Sequence, residues 1–244
     1  FIFIMKKLYL SIIIPAYNES KNIKKNIFEV DRWVKSNNKY PFEIIVINDG
    51  STDDTKSILN KTKLSIKTLK VIHHDTNFGR GKAIRTGFEH VSGKYIICLD
   101  ADLSYDPKHI SLLLQPLINN TADITLASAH HPKGSMINVP FGRRMLSKLG
   151  NKLLAQGFEK KIFTSTCSVR GFKKEVIENL ELVSNDKDLH LEVIQKAQLL
   201  GYKIQEIPSI LNWRDKKRRE PEESKKASNL KTSKIKSAIL SLSL

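Results

Sequence analysis

Two aspartates one residue apart, Asp100 and Asp102, follow an apolar run of strand length, YIICL at 95–99. At a strand end this spacing lets both carboxylates approach one cation, and the small Ala101 between them avoids crowding. Mg2+ or Mn2+ bound by one or two carboxylates plus substrate phosphate oxygens is the arrangement such a pair suits. Alone, a D-x-D is more often a helix cap beside a solvated acid. Asp49 opens Asp49-Gly50-Ser51-Thr52-Asp53-Asp54, which reads as a capped βα turn; its place after a strand also suits hydrogen bonds to a base or ribose. Gly79-Arg80-Gly81-Lys82 is no phosphate loop: no Lys-Ser/Thr follows at the required spacing, and Ile84 stands where a dinucleotide fingerprint has its third glycine. It reads as a tight turn with cationic flanks. Asp186, in Asn185-Asp186-Lys187-Asp188, either caps the helix that follows or serves as a carboxylate base. His130 and His131 lack partner-ligand spacing, and Cys98 reads as core.

The elements that position these residues alternate. Strands are expected at 8–15, 42–48, 69–73, 95–99 and 123–128, and helices at 21–34, 51–63 and 82–91, with a further helix opened by Pro107. Ser51 or Thr52 is expected to cap the second helix. Continuous β-branched strands between helices predict a mostly parallel, Rossmann-like α/β sheet with helices on both faces, whose ligands sit at strand carboxyl ends. Asn18-Glu19, Asp49 and the Asp100/Asp102 pair all fall at such ends. After residue 128 comes a polar loop, 129–139, then helices at 141–156, 173–180 and 188–200 and a strand at 202–208. The spacing thus predicts a catalytic domain over 8–212, with a nucleotide half to about 128 and an acceptor half over 129–212, and a basic tail over 213–244.

The chain has 244 residues and a formal net charge of +16. Such an excess favours a polyanionic partner: nucleic acid, anionic lipid or phosphorylated substrate. Residues 214–236 hold ten basic and four acidic residues, a net +6. Further on, Ile235, Ile239 and Leu242 share one helical face beside lysines, as in an interfacial helix. Two cysteines without disulfide or zinc spacing suggest a reducing, cytosol-side location. The short apolar run at 1–4 is not a signal peptide, and no run approaches the ~20 apolar residues of a membrane span.

In combination the motifs are far more specific. A strand ending in PAYNE (15–19), a strand with NDGSTDDT (48–55), then NFGRGKAIRTG (77–87) and DADLSYDP (100–107) resemble the family 2 glycosyltransferases. Among these the chain is similar to the polyprenyl-phosphate sugar transferases, the dolichyl-phosphate mannosyl- and glucosyltransferase group, from residue 8 to about 228. The resemblance implies a GT-A fold, a Mg2+ or Mn2+ cofactor and inversion at the sugar. By position it implies that Pro15, Tyr17 and Glu19 line the nucleoside pocket, that Asp49 contacts base or ribose, and that Gly81, Lys82, Ala101 and Arg144 border the donor. Asp100 and Asp102 are the implied metal ligands, with Ser104 where relatives carry a metal-contacting Gln. Arg143 or Arg144 looks like the family's phosphate arginine, and TCSVRGF (166–172) resembles its TSGFRAY segment, making Arg170 the matching arginine. Arg214, with Ser224-Lys225 downstream, resembles the phosphate-binding end of the catalytic region. Two departures stand out. Ala127-Ser128-Ala129-His130 replaces a G-S-R-Y, with His130, His131 or Lys133 as substitutes for the lost arginine. Asn185–Leu189 resembles the E-D-x-D-L of hydroxyl-directed members, with Asp186 at their base.

The expected activity is transfer of a hexose from a GDP- or UDP-sugar to a polyprenyl phosphate, by a protein peripheral at the cytosolic face of a membrane. Catalysis would rest on Asp102, Arg143, Arg170, Arg214 and Asp186, and the acceptor phosphate on the three arginines with Ser224 and Lys225. The alternative is the same chemistry on a glycan or glycolipid hydroxyl, with Asp186 as general base. Nucleic acid is excluded as a partner: aromatic and basic residues do not interleave, and acids cluster where a polyanion would sit.

Overall fold

The computed structural model describes residues 9–38, 40–154 and 162–213. The basic tail from Arg214 on, including Ser224 and Lys225, lies outside the described residues. The described residues up to Asn212 form one compact unit.

A seven-stranded sheet runs in the order β3-β2-β1-β4-β7-β5-β8. Its members are β1 (Leu10–Ala16), β2 (Phe42–Asp49), β3 (Leu69–His74), β4 (Tyr95–Cys98), β5 (Ile124–Ser128), β7 (Arg170–Lys173) and β8 (Ile204–Pro208). All pairs are parallel except those made by β7, which lies antiparallel between β4 and β5. Two short strands, β6 (Ser135–Ile137) and β9 (Ile210–Asn212), pair separately.

Side chains of the central strands alternate between two cores, as the two-residue period of a strand requires. Leu10, Ile12, Ile14, Ile44 and Val46 face α1 (Ile23–Asn37), α2 (Thr55–Ser65) and α4 (His109–Ile118). Ile13, Ile45, Ile47, Ile96 and Cys98 face α3 (Arg80–Glu89), α6 (Lys174–Asn179) and α7 (Leu189–Leu199). The expected mostly parallel sheet covered on both faces is therefore what the chain forms. Among the described residues no helix is long and apolar enough to cross a membrane.

Four expectations need correction. The 129–139 loop contains β6, and β7 and β9 were not expected; strands of three or four residues carry too little periodicity to register. Neither Ser51 nor Thr52 caps α2. Its N-cap is Asp54, without a side-chain cap bond, because both hydroxyl residues are engaged with Asn18 instead.

The order β3-β2-β1-β4 makes the chain leave β1 first to one side and then to the other. A crevice opens beyond the carboxyl ends at such a switch point. The loops after β1, β2 and β4 meet there.

Candidate active site

The first wall is a pair of interlocked loops. Ser51 Oγ accepts from the Asn18 amide N–H (3.0 Å), and the Thr52 N–H donates to Asn18 Oδ1 (2.8 Å). Asp53 accepts from the N–H of Ser20 (3.1 Å) and from the Thr55 hydroxyl (2.5 Å), while Thr55 Oγ1 in turn accepts from the Glu19 N–H (2.8 Å). Asn18 holds a left-handed φ of 53°, a conformation asparagine tolerates better than most residues. Tyr17 is exposed at this rim, Glu19 is buried, and Pro15 is half-buried at the end of β1.

Asp49 ends β2. Its buried carboxylate is bonded to His74 Nδ1 (2.8 Å) and accepts from the N–H groups of Phe78 (3.0 Å) and Gly79 (3.0 Å). Two of these bonds fall on Oδ1 and one on Oδ2, and together they shape the 77–79 turn. That turn is covered by the segment before α7. A Cβ at Gly81 would lie 2.5 Å from Asp186 O, and one at Gly79 2.6 Å from Asp186 Oδ1. Only glycine permits this approach. Gly81 is thus buried beneath backbone, and Lys82 Nζ lies 3.6 Å from Glu89 Oε1 on its own helix. Asp186 itself is exposed, standing over the turn that carries Arg80.

Arg80, read from sequence as a cationic flank, reaches the aspartate pair. Its Nη1 lies 3.1 Å from Asp100 Oδ1, which also accepts from Ser168 Oγ at 2.6 Å. Both bonds fall on Oδ1, leaving Oδ2 as the oxygen able to ligate. Burial holds the Asp100 carboxyl above its usual range; Arg80 and Ser168 oppose this, and the Asp102 carboxylate adds to it. Ala101, buried in the loop, accepts a hydrogen bond at its carbonyl from Asn26 Nδ2 (2.8 Å), which pins the loop to α1. Leu103, 1% exposed, holds a left-handed φ of 49°, costly for a branched residue and maintained by its burial. Ser104 stands beside Asp102. Its hydroxyl donates to Asp102 Oδ1 (2.6 Å), with its N–H beside it (3.0 Å), so it orients Asp102.

The donor set fits a hard divalent cation. Two like charges crowd one another, their ligand atoms are oxygens, and among the described residues no third His, Cys, Asp or Glu closes the group. This is the pattern of a site completed by substrate phosphate rather than a structural cage.

Arg170 departs most from expectation. It is 2% exposed, and its guanidinium donates to three main-chain carbonyls: Cys167 (2.7 Å), His190 (2.8 Å) and Ser165 (2.7 Å). Burial brings its pKa down to about 10, with the nearby cysteines pulling the other way, so it stays charged at neutral pH. It cannot present its fork to a phosphate. It clamps the 165–168 loop, which carries Ser168 to Asp100, onto the start of α7. Arg143 and Arg144 lie at the start of α5 (Phe141–Leu154), where Arg144 Nη2 donates to Met136 O (3.2 Å). His130 Nε2 bonds Ser147 Oγ of the same helix (2.9 Å).

Ser168 and Asn26 carry no expectation from sequence, while Arg80, Asn18 and Asp53 are expected there only as a cationic flank, a strand-end residue and part of a turn. Of the first two, Asn26 leaves a signal, being polar among Ile23, Ile27 and Val30 on the buried stripe of α1.

Residues 11–181 match the model of glycosyl transferase family 2. The chain is 32% identical over 203 residues to a dolichol-phosphate mannosyltransferase of Pyrococcus furiosus, covering 82% of this chain and 55% of that protein. It thus spans little more than half the length of that relative. It is 26% identical over 226 residues to a dolichyl-phosphate beta-glucosyltransferase of Trichomonas vaginalis, covering 88% of this chain and 68% of that one. Among solved structures, glucosyl-3-phosphoglycerate synthase of Mycobacterium tuberculosis, in complex with Mn2+, uridine diphosphate and glucosyl-3-phosphoglycerate, superposes with a TM-score of 0.66 at 18% identity, over 88% of this chain and 74% of that one. That likeness carries the fold, which is GT-A-like. With the family model covering residues 11–181 and the motifs seated at one strand-end crevice, the chain belongs to glycosyl transferase family 2.

Proposed function

We propose that the chain catalyses inverting transfer of a hexose from a GDP- or UDP-sugar to a polyprenyl phosphate, at the cytosolic face of a membrane. The observation that carries this is the Asp100/Asp102 pair at the β4 end, crowded, oxygen-rich and faced by Arg80. The lipid-phosphate specificity printed in the names of the Pyrococcus and Trichomonas relatives supports the acceptor class.

Asp100 and Asp102 would hold Mg2+ or Mn2+, which when bound supplies Lewis-acid neutralisation of the diphosphate leaving group. Ser104 and Ser168 fix the two carboxylates by hydrogen bonds of 2.6 Å each, so little reorganisation is needed on loading. Arg80, Arg143 and Arg144 are cations suited to bidentate phosphate contacts; Arg214 joins them by resemblance alone. The interlocked loops around Tyr17 and Glu19 form the nucleoside wall. A lipid phosphate is already anionic near neutrality, so attack on the sugar needs no strong base.

A second reading, transfer to a hydroxyl, is favoured by one observation: exposed Asp186 beside the turn bearing Arg80. There it would take the hydroxyl proton. A panel of radiolabelled nucleotide sugars, incubated with polyprenyl phosphate and separately with neutral glycolipids, decides between them. Label entering the polyprenyl phosphate is expected; label confined to the hydroxyl acceptors would overturn the first reading.

A further inference from the structure

Helix α5 is amphipathic with its polar side inward. The one buried residue on it is Asn151, whose Oδ1 accepts from the Ser165 N–H (2.9 Å) and hydroxyl (3.1 Å). Ser147 bonds His130, and Arg144 is tied to β6. Polar groups therefore dock the helix on its own domain. Phe141, Met145, Leu149 and Leu153 recur at four-residue spacing on the other side. With Leu146 they are 52–76% exposed. A helix on a globular surface ordinarily does the reverse, burying its apolar stripe, and a contiguous exposed apolar face marks an interaction surface.

The charge on the helix selects the occupant. Arg143, Arg144, Lys148 and Lys152 are its charged residues, and no acidic residue occurs between Asp123 and Glu159. A second copy of α5 would set four cations against four. An anionic bilayer satisfies both halves at once, with cations among the headgroups and apolar side chains at the acyl boundary. We infer that α5 is a membrane-docking helix that lies in the interface of an anionic bilayer through Phe141, Met145, Leu146, Leu149 and Leu153. Docking there also bears on the site. Asn151 holds Ser165, Ser165 O is held by Arg170, and the same loop sets Ser168 on Asp100.

This deepens the lipid-acceptor reading and takes its context from it. The test uses the full chain and vesicles without donor or polyprenyl phosphate, so failed docking and failed transfer remain distinguishable. Co-sedimentation is measured with phosphatidylcholine vesicles, with and without phosphatidylglycerol. The wild type should pellet with anionic vesicles only. The M145Q/L149Q/L153Q variant should lose at least ~10-fold in partitioning, because three side chains no longer enter the acyl boundary. Its melting temperature should not change, since these side chains are exposed. K148E/K152E should lose at least ~25-fold at low salt, taking roughly fivefold per cation at an anionic surface. Absence of wild-type binding, or equal binding by the triple variant, overturns the inference. So does a lipid-free dimer abolished by the triple variant, which makes the face an interface between copies. A lowered melting temperature of the triple variant would show the face covered within the chain, and also overturns it.

Discussion

Replacing Arg170 by methionine keeps most of the buried volume and removes the guanidinium. Three hydrogen bonds of 2.7–2.8 Å are lost, each worth about 1.5–3 kcal/mol when one partner is charged. The variant no longer bears the desolvation of a buried cation, a return of several kcal/mol. Against that, three carbonyls are left without their donor. The net expectation is a loss of about 3 kcal/mol, within the span seen when one member of a buried polar network is removed. For a domain of this size that corresponds to a melting temperature lower by ~6–12 °C. Arg170→Lys should recover little, because one compact ammonium cannot serve carbonyls arranged around a planar fork. Urea unfolding followed by far-UV circular dichroism, with calorimetry alongside, measures both variants. Stability within ~0.5 kcal/mol of wild type, with the defect confined to the KM for acceptor, would refute the clamp and restore the phosphate role that the sequence resemblance implies.

Further expectations follow the same logic. Burial opposes ionisation of Glu192, but Lys196 and the N–H groups of Ser184 and Val183 outweigh it and bring its pKa to about 2. Its folded pKa is depressed, so its stabilisation is full above the ordinary glutamate range and lost as pH falls toward 2; the unfolding free energy from urea titration should drop between pH 6 and pH 2.5 by more in wild type than in Glu192→Gln, a difference on the order of 2 kcal/mol. Gly81→Ala forces a Cβ onto the Asp186 and Asn185 backbone, and should cost about 1–3 kcal/mol as an overpacked site, read by thermal unfolding. Asp186→Asn should retain most turnover with a polyprenyl phosphate acceptor, in a single-turnover assay; a loss of ~10²–10⁴-fold would indicate general-base catalysis and a hydroxyl acceptor.

The first five strands were readable because runs such as SIIIPA and EIIVIN leave no amphipathic alternative: buried parallel strands are continuously apolar. Their order in the sheet was not readable, and neither was β7. Its sequence, RGFK, has no pattern, and its place between β4 and β5 is set by pairing remote in the chain. The same gap explains Arg170. A motif match assigns a residue to a position in a family, but burial is a property of the packed structure. Asp49 was correctly placed at a strand end, yet whether its carboxylate meets a ligand or the 77–79 turn depends on a loop 29 residues away. Arg80 offered only a charge. The placing of Asp100 and Asp102 at a strand end was readable because the spacing and the strand are both written in adjacent residues.

On the proposed function, the β4 end binds a nucleoside diphosphate through a divalent cation held by Asp100 and Asp102. Isothermal titration of GDP and UDP into the protein, with Mn2+ and with EDTA, tests it directly when repeated on Asp102→Ala. Mn2+ should tighten binding of one nucleotide by at least ~10-fold, about 1.4 kcal/mol, and Asp102→Ala should abolish this gain while leaving the melting temperature unchanged. Equal affinity with and without Mn2+ in the wild type, or a gain that survives in Asp102→Ala, would contradict it.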